Sequence, residues 1–472
     1  MNQDQANDPS RRRVIAAGSA AAAVAAASSL TSTASAQGKS GPIRLGLVGC
    51  GGRGSGAAGQ ALKVGENIQL VAMGDAFEDR LSSSLENLVK QNGDQVNVAD
   101  DMKFVGFDSY KKVIDQCDLV ILATPPGFRP MMFEAAVEAG KDVFMEKPCA
   151  VDSAGTRKVL AAAKKADEKG LKVVAGLQRR YQDSYKEAYK KVHEEGLIGD
   201  IVSANVYWNS GGVWTRDRLD GMTEMEYQMT NWYYFNWLCG DHIVEQHVHN
   251  IDVANWFIGA HPDKAQGMGG REVRTGKENG EIYDHHAVEF RYPEGQVVSS
   301  QCRHQRDTLS QVREEIHGTK GSLFMSNKSG GFAEIKDRAG KVVWRHRVKE
   351  DPNPYEQEHR VLQAAIRGDE PINNAYYVAE STFTSILGRY ATYTGKEQKW
   401  DDALADDVDL LPKNLAFDAD PPVMPDADGS YEIAIPGKAG RDGRNPPPAE
   451  AKKPEAKKPG AKQGGNKKNN KA

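Results

Sequence analysis

Ile43-Arg44-Leu45-Gly46-Leu47-Val48-Gly49-Cys50-Gly51-Gly52-Arg53-Gly54 is the stretch whose reading decides the fold. Apolar Leu45, Leu47 and Val48 run straight into Gly49, Gly51 and Gly54, the spacing G-x-G-x-x-G, and residues 57–64 can continue as a helix. Strand, tight turn and helix in that order turn unpaired backbone N–H groups toward a pyrophosphate, with Gly51 allowing close approach. Taken alone the motif is weak, because a flexible glycine loop reads the same way. A second strand-like run over 68–73 ends just before Asp75, roughly two dozen residues past the glycines. An acid at that distance accepts the ribose hydroxyls of an adenosine and repels a 2′-phosphate. NAD is therefore expected rather than NADP, and Arg80 is the nearby charge that argues the other way.

Upstream, Ser10-Arg11-Arg12-Arg13-Val14-Ile15 precedes an Ala-rich run to Leu30 and a small, polar stretch ending Ala34-Ser35-Ala36. A charged segment, a weakly apolar one and an A-x-A site predict a signal peptide over 1–36, and the paired arginines resemble a twin-arginine signal. An uncleaved anchor is the alternative. No later run reaches the roughly 20 apolar residues of a spanning helix. Twin-arginine cargo travels folded, so NAD is expected to be loaded in the cytoplasm, carried to the periplasm by that export machinery, and retained between turnovers.

With 472 residues, two domains are expected, and a net charge of −4 with pI near 6.3 gives no field that would attract nucleic acid. Cys50, Cys117, Cys149, Cys239 and Cys302 are scattered and odd in number. They imply neither a disulfide framework nor a zinc knuckle and read as small apolar fillers.

The next elements repeat the strand–helix alternation. A strand over 119–122 ends at Ala123-Thr124-Pro125-Pro126, and a helix over 131–139 stops at Gly140. A strand over 142–145 ends at Glu146-Lys147-Pro148; an amphipathic helix over 153–169 and a strand over 171–177 follow. The fold class is α/β, and residues 41–178 form a doubly wound parallel sheet that binds ligands at its strand ends, where Gly51, Asp75, Thr124 and Lys147 fall. Pro148 can hold a cis bond that aims Lys147 into the cleft. A lysine held there among apolar groups can serve in acid–base steps, and a solvated lysine ending a strand is the plain alternative.

The glycine turn, Thr124-Pro125, and Ala139-Gly140-Lys141 leading to Glu146-Lys147-Pro148 together resemble the Gfo/Idh/MocA family, over about residues 43–401. The resemblance implies a Rossmann domain followed, over 179–410, by an α/β domain with a large, mostly antiparallel sheet. It implies hydride transfer between nicotinamide and a sugar or polyol carbon, with Lys147 hydrogen-bonded to the reacting oxygen. The expected cofactor contacts are Gly49, Gly51, Gly52, Arg53, Gly54, Asp75, Thr124, Pro125, Glu146 and Lys147. Members commonly carry a His near the position of Arg129, and no functional weight is placed on that departure.

The richest run for chemistry is Gly240-Asp241-His242-Ile243-Val244-Glu245-Gln246-His247-Val248-His249-Asn250-Ile251-Asp252. Continued through Phe257, it reads as one mostly buried helix with His242, Glu245, His249 and Asp252 on a shared face and His247 pointing away. The stripe can be hydrogen-bonded structure. It can be a zinc site from His242, Glu245 and His249, although H-x-x-E-x-H matches no zinc spacing. It can also be an acid–base pair in which Glu245 orients and charges His249 for removal of a hydroxyl proton. The resemblance agrees with the third reading: its Asp, His and Asp fall on Glu245, His249 and Asp252. The first is Glu in place of Asp, and His247 stands where glycine is frequent. No metal is expected.

Tyr207, Trp208, Trp214, Trp232, Tyr233, Tyr234 and Trp237, interleaved with Asn209, Asn231 and Asn236, suit the C–H faces and hydroxyls of a carbohydrate, or form an aromatic-packed loop. The expected substrate contacts are Gln178, Arg180, Tyr181, Trp208, Asn231, Trp232 and His249. From 287 on, three hairpins predict an antiparallel sheet, closed by helices over 355–367 and 378–394, and so broad a sheet suggests a homo-oligomer. Residues 411–472 are expected to be an extended, largely disordered tail with one candidate strand over 431–435. The whole reads as an exported NAD-dependent oxidoreductase acting on a sugar or polyol hydroxyl. A glycosidase that uses NAD for transient oxidation and a non-catalytic carbohydrate-binding protein are the alternatives.

Overall fold

The computed structural model describes residues 41–326, 331–347 and 351–447. The expected signal segment over 1–36 and the lysine-rich end beyond 447 lie outside the described residues.

The first sheet contains β1 (Ile43–Val48), β2 (Ile68–Asp75), β3 (Lys103–Val105), β4 (Leu119–Leu122), β5 (Asp142–Met145) and β6 (Val173–Ala175), in the order β3-β2-β1-β4-β5-β6. All its pairings are parallel. Every residue of β4 and β5 is buried, as a sheet covered by helices on both faces requires. The order reverses between β1 and β4, which opens a crevice at their carboxyl ends. The helix after β1 is Gly52–Val64, so it begins inside the glycine turn, five residues before the expected 57. Gly49 has φ +93°, and a Cβ on Gly54 would lie 1.8 Å from the Gly49 carbonyl oxygen. Both positions require glycine.

The second sheet has nine strands: β7 (Ile201–Ser210), β8 (Lys264–Gly270), β9 (His285–Arg291), β10 (Val297–His304), β11 (Gln311–Gly318), β12 (Gly321–Ser326), β13 (Phe332–Asp337), β14 (Val342–Arg345) and β15 (Gln398–Lys399). Their order is β14-β13-β12-β11-β7-β10-β9-β8-β15, antiparallel except where β10 runs parallel to β7. The three expected hairpins are β9–β10, β11–β12 and β13–β14. β7, β8 and β15, absent from the sequence reading, complete the sheet.

Helix Ala375–Thr394 is almost wholly buried, packed on β8 and on helices Val248–Ile258 and Ser153–Glu168. Helix Pro354–Gly368, expected to close the second sheet, instead lies on helix Gly52–Val64. Leu362 and Ile366 join the apolar cluster that contains Leu62, Gln363 Nε2 donates to the Ala61 carbonyl at 2.9 Å, and Lys63 pairs with Glu356 at 2.7 Å.

Two expectations are corrected. The single helix expected over 240–257 is two, His242–Glu245 and Val248–Ile258, because Gly240 (φ +75°) and Asp241 (φ +73°) start a short turn that closes when the His247 N–H bonds back to the His242 carbonyl. Residues 411–447 form neither helix nor strand, including 431–435, yet they are packed rather than loose. Val423 and Tyr431 are buried, Gln228 Nε2 donates to the Val423 carbonyl at 2.6 Å, and the Tyr431 hydroxyl donates to Glu224 at 2.6 Å. The Phe417 ring sits 5.4 Å from Phe77 and 4.8 Å from Phe107, centroid to centroid. All five cysteines are free and buried. Among the described residues, no helix is long and apolar enough to cross a membrane.

Candidate active site

A cavity of about 1140 Å³ opens at the carboxyl ends of β1, β2 and β4, lined by Gly49, Cys50, Gly51, Gly52, Arg53, Asp75, Phe77, Arg80, Thr124, Pro125, Trp214 and Trp232, among others. A Cβ built on Gly51 or Gly52 meets no atom within 4 Å, so the turn leaves open space in front of the helix N-terminus. That cradle fits a dinucleotide pyrophosphate. Asp75 closes β2, its Oδ2 accepting from the Cys50 N–H at 2.7 Å and its Oδ1 from the Phe77 N–H at 2.9 Å. Burial pushes its carboxyl pKa up, and those two N–H groups oppose the shift. Arg53 turns away from the helix end: its Nε contacts Glu146 Oε1 at 2.5 Å, and its guanidinium lies 5.0 Å over the Tyr355 ring.

Lys147 comes two residues after β5, and its bond to Pro148 is cis. Its Nζ donates to the Glu245 carbonyl at 2.7 Å and contacts Glu245 Oε1 at 3.1 Å. The carboxylate that was expected to orient His249 therefore holds the lysine instead, because the break at residues 246 and 247 takes Glu245 and His249 off a common helical face. The imidazole of His249 stacks on Trp208 with centroids 5.9 Å apart, and its Nδ1 is buried with no partner among the described residues. Burial first, and then the positive charges of Lys147 and Arg179, hold His249 neutral well below its ordinary range.

Asp252, the second acid of the pattern around His249, is also taken up elsewhere. Asp252 is engaged on both oxygens by Arg180, with Nε–Oδ2 at 2.9 Å and Nη2–Oδ1 at 2.8 Å, and it accepts from the Ser381 hydroxyl at 2.8 Å. Arg180 is further held over Tyr377 at 3.9 Å. The Tyr181 hydroxyl donates to Asn374 Oδ1 at 2.5 Å. Gln178 is buried with its Oε1 unpartnered among the described residues. Asn231, expected at the substrate, is fully buried; it accepts from the Arg216 N–H at 2.9 Å and donates to the Glu278 carbonyl at 2.7 Å, which fixes the loop carrying Trp214. Trp232 lines the nucleotide cavity, edge-on to Trp214. His242, once grouped with Glu245 and His249 as zinc ligands, lies instead against Asp241 and His304.

Two buried arginines, neither given a role from the sequence, brace the site. Arg129, at the start of helix Arg129–Glu138, donates to the carbonyls of Thr124 and Pro148, joining the ends of β4 and β5, and burial pulls its pKa down to about 10. Arg179 pairs with Glu314 and lies 5.7 Å over Trp208, and Glu314 also accepts from Tyr185 at 2.9 Å and Asn250 at 2.7 Å. Arg129 had two signals in the sequence, its place near the family's usual His and its lone charge in an apolar setting, Phe128-Arg129-Pro130.

Residues 43–174 match the oxidoreductase family with an NAD-binding Rossmann fold, and residues 187–324 match the GFO/IDH/MocA C-terminal domain; together they cover more than half of the chain. The inositol 2-dehydrogenase of Rhizobium meliloti is 24% identical over 294 residues, 62% of this chain and 78% of that protein. The scyllo-inositol 2-dehydrogenase (NAD(+)) of Bacillus subtilis is 25% identical over 46% of this chain and 58% of its own length. Among solved structures, the aldose-aldose oxidoreductase of Caulobacter crescentus superposes with a TM-score of 0.61 at 18% identity, covering 76% of this chain and 99% of that one. The scyllo-inositol dehydrogenase of Lactobacillus casei, solved with NAD(H) and scyllo-inositol, superposes at 0.58 with 21% identity over 76% and 99%. These two likenesses show a shared fold.

Proposed function

Because the chain belongs to the Gfo/Idh/MocA family of NAD-binding oxidoreductases, we propose that it moves a hydride between NAD and the hydroxyl-bearing carbon of a polyol or sugar, with Lys147 and His249 at the reacting centre. The observation that carries this reading is the buried Nδ1 of a neutral His249, without a partner among the described residues, set beside the Lys147 cation. When bound, the nucleotide supplies the hydride acceptor. The chain supplies the rest. Gly51, Gly52 and the helix behind them hold the pyrophosphate, and Asp75 takes the adenosine ribose, which favours NAD over NADP. Lys147 turns an N–H from Glu245 to the substrate oxygen, and neutral His249 takes the hydroxyl proton as the carbon is oxidised. Trp208 offers a flat face to C–H groups beside that histidine. The Arg180–Asp252 pair positions helix Val248–Ile258, on which His249 sits.

A polyol or sugar substrate is supported by the relatives named inositol 2-dehydrogenase. Retention of NAD between turnovers is supported by the packing of Phe417 on Phe77 and Phe107, two residues that line the nucleotide cavity. Export to the periplasm by the twin-arginine route rests on Arg11, Arg12 and the Ala-rich run after them. Replacing both with Lys should leave the folded protein in the cytoplasmic fraction; unchanged export would refute that route. Pairing of a second copy through the broad sheet is part of the same proposal, checked by light scattering.

The decisive experiment is a sugar and polyol panel read by fluorescence of bound nucleotide, repeated with Lys147→Ala. The variant should lose about 10²–10⁴-fold in turnover while still binding NAD. Unchanged turnover would remove Lys147 from the mechanism.

A further inference from the structure

Part of the wall of the nucleotide cavity comes from the second half of the chain. The segment after β7 places Trp214, Arg216, Met229, Thr230 and Trp232 on the same space that the glycine turn opens into. Asn231, wholly buried, accepts from the Arg216 N–H at 2.9 Å and donates to the Glu278 carbonyl at 2.7 Å. The Arg216 guanidinium lies 4.9 Å over the Trp214 ring, and Trp214 meets Trp232 edge-on at 6.0 Å. Backbone and side chain of Arg216 are therefore both held at the cavity wall.

Its charge has no counterpart. Arg216 makes no ion pair among the described residues. Two positions on, Arg218 meets Glu224 at 2.6 Å and lies over Tyr227 at 4.0 Å, so one loop neutralises one arginine and leaves the other. Water alone satisfies most exposed arginines. This one instead lines a cavity built around a helix N-terminus.

The remaining charges on that cavity are spoken for. Arg53 is turned to Glu146 at 2.5 Å and to Gln60 at 2.8 Å. Arg80 lies 4.9 Å over Phe77 and acts on Asp75, at the end assigned to adenosine. The other two charged residues of the lining, Asp75 and Asp79, are acids. A pyrophosphate brings two negative charges, and a helix N-terminus answers with only about half a unit. Without Arg216 the cavity is short of positive charge.

We propose that Arg216 is a pyrophosphate-binding residue, a guanidinium that pairs with the phosphate oxygens of the dinucleotide. This rests on the reading of the cavity as the NAD site and deepens it. Both halves of the chain then grip the cofactor, the first through Gly51 and Gly52, the second through Arg216.

The test is binding, measured on the full-length protein. NADH is titrated in and read by energy transfer from tryptophan, and ADP-ribose and adenosine are then used as competitors. Arg216→Gln keeps the backbone bond to Asn231 and removes only the charge. It should weaken NADH and ADP-ribose by about tenfold, the loss of a charge-assisted contact, and leave adenosine unchanged. The gap should narrow as salt rises from about 50 to about 500 mM, since an exposed contact is screened. Equal affinity of variant and wild type for ADP-ribose overturns the proposal, and so does an equal loss for adenosine, which would mark a change in the wall alone. Wild-type protein that binds neither NADH nor ADP-ribose would sink the NAD reading itself, and this inference with it.

Discussion

At the scale of single residues, His249 carries the sharpest expectation. Burial and two cationic neighbours hold its pKa well below the ordinary 6.5, so the proton-accepting form persists on the acidic side of that value. The sign follows directly: a base whose pKa is depressed loses activity only when the pH falls through the depressed value. The kcat/KM profile is expected to stay level from pH 8 down past 6.5 and to drop at more acidic pH. An acid limb centred at or above 6.5 would assign the step to another group. The polar residues around His249 were legible as a set but not as a circuit. His249, Glu245, Asp252, Lys147 and Arg180 could all be named from spacing and resemblance, yet their pairings could not. Which carboxylate meets which cation depends on side chains brought from β5, from residue 180 and from Ser381, far apart in the chain.

At the scale of elements, periodicity was a good guide wherever a strand or helix was regular. β1, β4, β5 and the three hairpins were readable because their apolar patterns are bounded by Gly and Pro signals. The helix break at 246 and 247 was hidden, because apolar residues continue on both sides and nothing in the pattern marks Asp241 as taking a positive φ. Helix Pro354–Gly368 was assigned to the wrong sheet for a related reason: an amphipathic stripe says that a face is buried, and not against what. Arg129 binds elements together. Its guanidinium satisfies the carbonyls of Thr124 and Pro148, just past β4 and β5, and Arg129→Met removes the donor from both. A loss of about 2–4 kcal/mol is expected from hydrogen bonds to a charged donor, read as a lower urea midpoint with an unchanged slope. A midpoint equal to wild type would show that water replaces the clamp.

At the scale of the whole molecule, the segment over 411–447 was misjudged because Asp- and Pro-rich composition lacks any period. Its order comes from single anchors, Phe417, Val423 and Tyr431, each seated on an element much earlier in the chain. Phe417→Ala should accelerate NAD release by about tenfold, the loss of part of a buried aromatic contact, measured by trapping released nucleotide with an excess of a second dehydrogenase. An unchanged release rate would show that the segment covers the cleft without controlling it.

The position of β7 has a consequence in time. Its two neighbours, β10 and β11, occupy residues 297–318, so a ribosome must add about 90 further residues before this strand can bond on either side. Until then β7 presents two open edges, and pairing so distant in sequence is slow. The second half of the molecule therefore assembles late and is the stage at which a nascent chain is most exposed to aggregation.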